Sequence, residues 1–313
     1  MINTNKDLHT IVLNGENGRL DKILTQLFKY ESRSTIQKLI KDQLVTVDGK
    51  VEKANFKLLG NETLTITFPE IEPLELVAED IPLDIVFEDD DLVVINKPAG
   101  MVVHPSKGHA SGTLVNALLH YLGNNLSDST DAVRPGIVHR IDKDTSGMIV
   151  IAKNNYAHQK LSEQLVDHTM GRVYIALVLG TVEANDAVIE VPIRRSTTSR
   201  LRWRTDKEGK YALTTFEVLK RYHDATLLQL ELKTGRTHQI RVHMEHIGHP
   251  IVGDPIYRSG MNEFKTSLSK LKDGQLLHAA QLHFYHPRSK ELMEFSSELP
   301  SDFSEILDTL TEI

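Results

Sequence analysis

From residue 83 onward the sequence is dominated by short apolar runs that are rich in β-branched residues and separated by turn residues. Eight of these runs predict strands: LDIVFED, LVVINK, GMIVIAK, RVYIALVLG, AVIEVPI, LTTFEVLKRY, ATLLQLELK and LLHAAQLHFYH. Three stretches have the spacing of amphipathic helices: TLVNALLHYLG, NNYAHQKLSEQLVDH and GRTHQIRVHMEHIG. Because strands outnumber helices and no regular strand–helix–strand alternation occurs, we expect an α+β fold with a mixed, mainly antiparallel sheet.

An acidic, proline-containing stretch separates this region from the N-terminal segment. Residues 61–91 contain eleven Asp or Glu, no Lys or Arg, and the prolines Pro69, Pro73 and Pro82. This composition is typical of a boundary or linker. The length of 313 residues suits two domains. We therefore predict a small module over residues 1–75 and a larger domain over residues 76–313.

The N-terminal segment has the pattern of a small α/β module. GRLDKILTQLFKY predicts one helix, and SRSTIQKLIKDQ predicts a second helix that is capped by Ser32. Strand-like alternation follows, with a turn at Asp48 and Gly49. Residues 19–57 carry nine Lys or Arg against five acidic residues. A solvated helix face would explain these charges, and so would a surface that binds RNA.

The order of RLDKIL, SRSTIQKLI and VTVDGK resembles the small RNA-binding module shared by a ribosomal small-subunit protein and tyrosyl-tRNA synthetases. The resemblance covers about forty residues and implies that the outer helix faces contact RNA. Four basic residues are the expected contacts: Arg19, Arg33, Lys38 and Lys41.

The charge is distributed unevenly along the chain. The net charge is −7, yet the segment IRRSTTSRLRWR (193–204) contains arginines and Trp203 but no acidic residue, so it predicts a local surface for a polyanion. The absence of cysteine excludes disulfides and thiolate metal sites. The polar N-terminus lacks a signal-peptide core, and no apolar run approaches the roughly 18 residues of a membrane helix. We expect a cytoplasmic protein with no membrane partner.

A charged loop lies between two apolar runs in VRPGIVHRIDKDTSGMIVIA (133–152). Because burying charged groups is costly unless they are paired, packing alone does not explain this loop. A hydrolase triad of Ser146, His139 and Asp142 would lack the G-x-S-x-G elbow. A turn stabilised by caps and ion pairs is a structural alternative. A third reading is that Asp142, flanked by Arg140 on the same strand face and by Lys143, stays ionised and acts as nucleophile or base.

Metal binding is a further alternative for this region. It could use Asp142 with Asp144, or the histidines of THQIRVHMEHIGH (237–249). Those histidines lack the HExxH arrangement, and neighbouring arginines would repel a cation. We therefore expect no metal site.

The loop VHRIDKDTSGMIVIAKN closely resembles the signature of pseudouridine synthases that act on uridines of large-subunit ribosomal RNA and some tRNAs. Three more stretches of that family occur in the expected order: EDDDLVVINKPAGMVVHPS (88–106), RVYIALVLG (172–180) and LKTGRTHQIRVHMEHIGHPIVGDPIY (232–257). The resemblance implies an isomerase that needs no cofactor, acts as a monomer, and binds ribosomal RNA or, alternatively, tRNA. A non-catalytic RNA-binding or ribosome-assembly protein and a carboxylate glycosidase are the rival readings.

The resemblance also implies residue roles. Asp142 would be the catalytic carboxylate, attacking ribose carbon 1 or removing the proton from carbon 2. Tyr174 would stack on the uracil, unless it is only a core tyrosine. Arg241 would hold Asp142, although pairing with Glu245 one turn along is an alternative. The remaining expected RNA contacts are Arg140, which would fill the space of the flipped uridine, Arg236 and His238.

Overall fold

The computed structural model describes residues 7–28, 33–68, 76–105, 110–123, 125–128, 134–199, 201–258 and 274–313. The chain forms two compact units, Met1–Glu75 and Leu76–Ile313. Three residues discussed above, Ser32, Pro69 and Pro73, lie outside the described residues, and so does Arg200 of the arginine-rich segment.

The N-terminal unit packs two helices against a small antiparallel sheet. Its elements are β1 (Asp7–Val12), β2 (Gly18–Arg19), α1 (Leu20–Leu27), α2 (Arg33–Lys41), β3 (Val45–Val47), β4 (Lys50–Val51), β5 (Lys57–Leu58) and β6 (Thr63–Phe68). The strand order is β1-β6-β3-β4, and β2 pairs with β5. Leu20, Leu24 and Ile36 are fully buried, so the apolar helix faces form the core as the spacing predicted.

The predicted turn at Asp48 and Gly49 is confirmed. Val47 pairs with Lys50 across a two-residue connection, and φ is 49° at Asp48 and 77° at Gly49. Positive φ at both central residues matches the twist of the flanking strands, which explains why the Asp-Gly pair stands there.

The second unit is built on a large sheet with helices packed against it. Its strands are β7 (Ile85–Glu88), β8 (Leu92–Lys97), β9 (Ser146–Ala152), β10 (Gly171–Leu179), β11 (Asp186–Glu190), β12 (Ile193–Arg195), β13 (Trp203–Thr205), β14 (Leu213–Arg221), β15 (Ala225–Leu232), β16 (Leu277–Tyr285) and β17 (Leu292–Ser296). Its helices are α3 (Leu114–Leu122), α4 (Asn155–Val166), α5 (Gln239–His246) and α6 (Ser301–Asp308). None of the helices in the described ranges is long and apolar enough to cross a membrane.

Among the described residues, the main sheet has nine strands in the order β11-β14-β15-β10-β16-β9-β8-β7, with β17 added on β16. Its strand pairs are antiparallel except for β9 and β16, which run parallel. The predicted α+β class with a mixed, mainly antiparallel sheet is confirmed. Gly147 lies where the parallel pair meets, and a Cβ there would come within 2.2 Å of the Ala279 carbonyl oxygen.

Some element predictions were wrong. AVIEVPI was expected to be one strand, but it divides between β11 of the main sheet and β12, which forms a separate hairpin with β13. Hairpin strand β13, edge strand β17 and helix α6 were not predicted, because their short segments carry too few apolar residues for a periodic signal. The acidic stretch 61–91 is not wholly a linker, since β6 and β7 both fall within it.

Candidate active site

A cavity of about 370 Å³ opens between the 138–145 loop, strand β10 and the start of helix α5. Six residues predicted from the sequence line it: Arg140, Asp142, Tyr174, Arg236, His238 and Arg241. The loop and α5 are far apart in sequence, so the fold brings these side chains together.

Residues 139–142 have no strand conformation, so the expectation that Arg140 and Asp142 share a strand face was wrong. The segment ends in a turn in which the Thr145 N–H donates to the Asp142 carbonyl at 3.2 Å. Ile141, between the two charged residues, is buried in the main core. Its burial anchors the loop, while the side chain of Arg140 remains exposed.

Lys97 holds the other end of the charged loop. Its ammonium is fully buried and donates to the carbonyl oxygens of Pro98, Met101 and Lys143 at 2.7, 2.9 and 3.0 Å. Burial lowers the pKa of Lys97 to about 7, although the nearby carboxylates of Asp144 and Asp142 act in the opposite direction. Three carbonyl acceptors match the three donors of a charged ammonium, so they also favour the protonated form. The NKPAGM segment thus serves as an anchor for the loop.

Arg241 joins Asp142 to a second carboxylate. Its Nη1 donates to Asp142 Oδ2 at 2.8 Å, while Nε and Nη2 donate to Asp254 at 2.6 and 2.9 Å. The guanidinium is 5% exposed and the Asp254 side chain is fully buried. The alternative pairing of Arg241 with Glu245 was wrong, since Glu245 instead accepts from Arg202 at 2.6 Å.

The environment keeps Asp142 ionised. Burial by itself would raise the pKa of this carboxyl, but the charge of Arg241 and the hydrogen bond that it donates lower it. Burial also lowers the pKa of His238, so its ring is neutral near pH 7 and Arg241 is the close cation that acts there. Oδ2 is engaged by Arg241, and Oδ1 lies 3.8 Å from His238 Nε2. This distance is too long for a hydrogen bond, so Oδ1 is the oxygen available for chemistry.

Tyr174 lies on β10 at the point where the pairing with β16 shifts register between Val173 and Ile175. Such irregularities re-aim side chains and are frequent beside active sites. The ring is 5% exposed, belongs to the main core and also lines the cavity. Burial raises the pKa of the phenol, so it remains protonated at neutral pH. The tyrosine is therefore both a core residue and a wall of the cavity.

His238 and Arg236 lie at the start of α5 and differ in exposure. The Arg236 side chain is exposed, and its Nε donates to the Tyr211 carbonyl at 2.8 Å. The His238 side chain is only 16% exposed, and its Nδ1 lies 2.8 Å from the hydroxyl of the buried Tyr257. His238 therefore faces the protein interior and Asp142 more than the surface.

The alternative chemistries do not match the geometry. Ser146 Oγ bonds to Nδ1 of His278 at 2.8 Å, whereas His139 Nε2 accepts from the Val150 N–H, so the hydrolase triad was wrong. The later histidines of the 237–249 stretch have separate partners: Thr214 and the Val191 carbonyl for His243, Thr205 for His246 and the Leu179 carbonyl for His249. No cluster of three or more potential metal ligands occurs among the described residues.

The basic residues of the N-terminal unit are not equivalent. Arg19 and Arg33 both donate to the fully buried carboxylate of Asp21, at 3.0 and 2.7 Å, although about half of each arginine side chain is exposed. Lys38 and Lys41 are exposed on α2. Two of the four predicted RNA contacts thus have a structural partner inside the unit.

The arginine-rich hairpin of β12 and β13 is less positive than its sequence suggests. Acidic residues from outside the segment pair with three of its arginines: Glu208 with Arg194, Glu245 with Arg202 and Asp206 with Arg204. These partners lie beyond residues 193–204, which is why the sequence of that segment overstated its charge.

Sequence reasoning did not single out Lys97, Asp254 or Tyr257 as parts of this site. All three lie in stretches that resemble the family, in NKPAG and in GDPIY, but a resemblance of sequence gives no side-chain contacts. For Lys97 and Asp254 the available signal was a charged residue within such a stretch, because a lysine or an aspartate is rarely buried unless it has a partner.

Comparisons with known proteins found similar families, sequences and folds. A family model described as RNA pseudouridylate synthase matches residues 91–246, and an S4 domain model matches residues 18–64. An uncharacterised RNA pseudouridine synthase of Bacillus subtilis is 46% identical over 293 residues, covering 93% of this chain and 94% of its own. Ribosomal large subunit pseudouridine synthase D of Escherichia coli K12 is 43% identical over 299 residues, covering 93% and 90%. Human RNA Pseudouridylate Synthase Domain Containing 1 has a TM-score of 0.57 at 25% identity, covering 75% and 91%.

Proposed function

Because the chain belongs to the RNA pseudouridylate synthase family, we propose that Asp142 is the carboxylate with which it converts uridines of large-subunit ribosomal RNA to pseudouridine. The single observation that carries this proposal is that the Asp142 carboxylate accepts a hydrogen bond from Arg241 in a cavity that Tyr174 also lines. The non-catalytic alternative is disfavoured by the family membership.

The reaction breaks the bond between ribose carbon 1 and uracil nitrogen 1, turns the base, and forms a bond from carbon 1 to carbon 5. The proton on carbon 5 is then lost to solvent and nitrogen 1 takes up a proton, so that the product is an isomer of uridine. The free Oδ1 of Asp142 suits either attack on ribose carbon 1 or removal of the carbon 2 proton. Arg241 supports both routes, because its charge keeps the carboxylate ionised.

The other cavity residues have complementary proposed roles. The Tyr174 ring would stack on the uracil, with its protonated hydroxyl available for proton transfer at carbon 5. The exposed Arg140 would occupy the space that the uridine leaves when it flips out of its stack. Arg236 and the basic residues of the N-terminal unit would contact RNA phosphates.

The names of the relatives support a proposal for the substrate. The Escherichia coli relative is named for the ribosomal large subunit, and the N-terminal S4 match indicates a separate RNA-binding unit. We propose large-subunit ribosomal RNA over tRNA as the substrate, and a monomer that acts in the cytoplasm.

A tritium-release assay tests the proposal. Large-subunit ribosomal RNA labelled at uracil carbon 5 should release tritium with the wild-type protein, while Asp142→Asn should release none and still bind the RNA. Asp144→Asn is the matched control, because Asp144 belongs to the same loop but does not line the cavity. Release by Asp142→Asn, with deamidation to aspartate excluded by mass spectrometry, would refute the assignment.

A further inference from the structure

His238 is placed between a buried hydroxyl and the proposed catalytic carboxylate. Its Nδ1 lies 2.8 Å from Tyr257 Oη, and its Nε2 lies 3.8 Å from Asp142 Oδ1. The rings of His238 and Tyr257 meet edge to face, with centroids 5.6 Å apart. The side chain therefore has a defined orientation and a different neighbour at each ring nitrogen.

The neighbours determine which nitrogen carries the hydrogen. The Trp203 backbone N–H donates to Tyr257 Oη at 2.9 Å, so the tyrosine hydrogen is free to point to His238 Nδ1. Burial raises the pKa of Tyr257, so the hydroxyl keeps this hydrogen. A neutral imidazole has one N–H, and with Nδ1 accepting, that N–H is on Nε2.

The opposite tautomer is unfavourable on both sides of the ring. It would place the lone pair of Nε2 opposite the ionised Asp142, where two electron-rich groups repel each other. In that tautomer the buried Tyr257 hydroxyl would accept from both the Trp203 N–H and His238 Nδ1–H. The hydrogen of the tyrosine would then have no acceptor among the described residues. The tautomer with the hydrogen on Nε2 avoids both costs.

The backbone reinforces the orientation. His238 has φ 56° and ψ 24°, the left-handed region, at the residue before α5, and it makes no capping hydrogen bond there. Gln239 follows it and is buried, accepting from the Arg236 N–H and the Thr234 hydroxyl at 2.9 and 2.8 Å. A non-glycine residue keeps such a conformation when its surroundings fix it, and this is frequent at functional sites.

We infer that His238 is a positioning residue for Asp142, and that Tyr257 sets the tautomer that makes this possible. The Nε2–H lies on the side of Oδ1, the oxygen that Arg241 leaves free, and it limits rotation of the carboxylate once the 3.8 Å separation shortens to a hydrogen bond in the complex with RNA. Hydrogen bonds of this kind are often long in the unliganded enzyme and shorten in the complex. The inference rests on the proposed role of Asp142 and differs from the RNA-contact role expected for His238.

Two substitutions separate positioning from RNA contact. His238→Asn tolerates the left-handed backbone and can bond to Tyr257, but its amide is too short to replace Nε2. His238→Gln is longer and can present an N–H near the position of Nε2. We expect His238→Asn to lower kcat roughly 10- to 100-fold with KM for RNA nearly unchanged, and His238→Gln to recover a large part of the loss. A raised KM with unchanged kcat, or no recovery in His238→Gln, would overturn the inference.

A spectroscopic measurement tests the tautomer without relying on activity. The wild-type protein with ¹⁵N-labelled histidine should show His238 with Nε2 protonated and Nδ1 unprotonated, assigned by difference from the spectrum of His238→Gln. In Tyr257→Phe the same signals should move toward a mixture of tautomers. Nδ1 protonation in the wild-type protein would refute the inference even if Asp142→Asn proves inactive. Active Asp142→Asn with the expected tautomer would instead refute the proposed function.

Discussion

Asp254 accepts two hydrogen bonds from Arg241, from Nε at 2.6 Å and from Nη2 at 2.9 Å. The same carboxylate also accepts from the backbone N–H groups of Ile256 and Tyr257, so its own position is fixed. The plane of the guanidinium is thereby set, with Nη1 directed toward Asp142. Asp254 thus holds the guanidinium that contacts the proposed catalytic carboxylate, without lining the cavity itself.

The first prediction concerns this support. Asp254→Asn removes the charge opposite Arg241, so the guanidinium should be held less firmly and kcat should fall roughly 10- to 100-fold. The variant should also lose roughly 1–3 kcal/mol of unfolding free energy, because buried hydrogen bonds are disrupted. Affinity for RNA should stay within about twofold, since Asp254 is buried and does not line the cavity. Tritium release at saturating RNA measures kcat, denaturant unfolding measures the free energy of unfolding, and filter binding measures the affinity for RNA.

Asp206→Asn is the control for Asp254→Asn, because it removes a carboxylate whose partners Arg194 and Arg204 are partly exposed. Such pairs contribute little, so its kcat should match that of the wild type. Wild-type kcat in a folded Asp254→Asn would show that Asp142 does not depend on this support.

The second prediction concerns pH. In the wild type Asp142 has a pKa below its ordinary 3.8, so it is ionised throughout the range in which the enzyme is assayed. Arg241→Gln removes the cation while burial remains, and burial raises the pKa of a carboxyl. The acidic limb of the profile of single-turnover rate against pH should therefore move to higher pH in Arg241→Gln. Arg241→Lys, which keeps the charge, should give an intermediate position. An unmoved limb would contradict the proposed electrostatic role of Arg241.

The charged loop was predictable because a cluster of ionisable residues between two buried strands has few structural explanations. The partnership of Asp142 with Arg241 was implied by family resemblance, and the residues alone left Glu245 as an equal candidate. The two residues are 99 positions apart, and sequence spacing carries no information on such a contact. The main sheet determines it, because β15, which precedes α5, and β9, which follows the charged loop, are separated in the sheet by β10 and β16.

The predicted roles of arginines show where sequence reasoning fails. Arg19 and Arg33 were assigned to an outer face by helical periodicity, which describes the direction of a side chain but not its partner. Asp21 lies at the first turn of α1, where an acidic residue suits the helix dipole, so nothing in its position indicated burial. Its burial depends on packing between α1 and α2.

The third prediction concerns Asp21. Hydrogen bonds from Arg19, then from Arg33 and Gln37, outweigh the effect of burial and lower the pKa of this carboxyl well below its ordinary 3.8. The stability that it contributes is present above that ordinary value and is lost as pH falls through the lower folded value. Asp21→Asn should therefore destabilise the N-terminal unit by roughly 1–3 kcal/mol at pH 7 and weaken its response to acid.

Hydrogen exchange followed by mass spectrometry on peptides from residues 7–68 measures the effect of Asp21→Asn, because the single Trp203 reports on the other unit. The exposed Asp42→Asn is the control. Equal protection in Asp21→Asn and the wild type would show that the pair of arginines is not structural.

The fourth prediction concerns the exposed lysines of α2. Changing both Lys38 and Lys41 to Gln should weaken RNA binding and reduce the slope of log affinity against log salt by roughly 0.7 to 0.9 for each phosphate that the variant no longer neutralises. Turnover at saturating RNA should persist, because neither residue lies near Asp142 in the sequence or lines the cavity. The matched control changes Lys160 and Lys220, each of which is paired with a glutamate. An unchanged slope would mean that the face of α2 is only solvated.

The fifth prediction concerns Arg140, which is exposed at the cavity and for which the described residues provide no hydrogen-bond partner. If Arg140 stabilises the flipped-out uridine, Arg140→Ala should lose part of the stabilisation that offsets a flipping cost of a few kcal/mol. The rate on structured RNA should then fall roughly ten- to a thousandfold. The loss should shrink on a short unstructured RNA, where little stacking opposes extrusion of the uridine. Single-turnover rates on the two substrates give the comparison.

A second explanation for Arg140 is electrostatic, because its charge also lowers the pKa of Asp142. If the role is electrostatic, the single-turnover rate of Arg140→Ala should fall by the same factor on both RNAs, since the carboxylate is identical in the two complexes. That role would also allow Arg140→Lys, which keeps the charge but is narrower than a guanidinium, to recover most of the rate. The flipping role instead predicts little recovery in Arg140→Lys on structured RNA, because an ammonium fills less of the space that the uridine vacates and stacks poorly on neighbouring bases. Equal losses on both RNAs together with recovery in Arg140→Lys would therefore assign Arg140 to Asp142 rather than to the RNA.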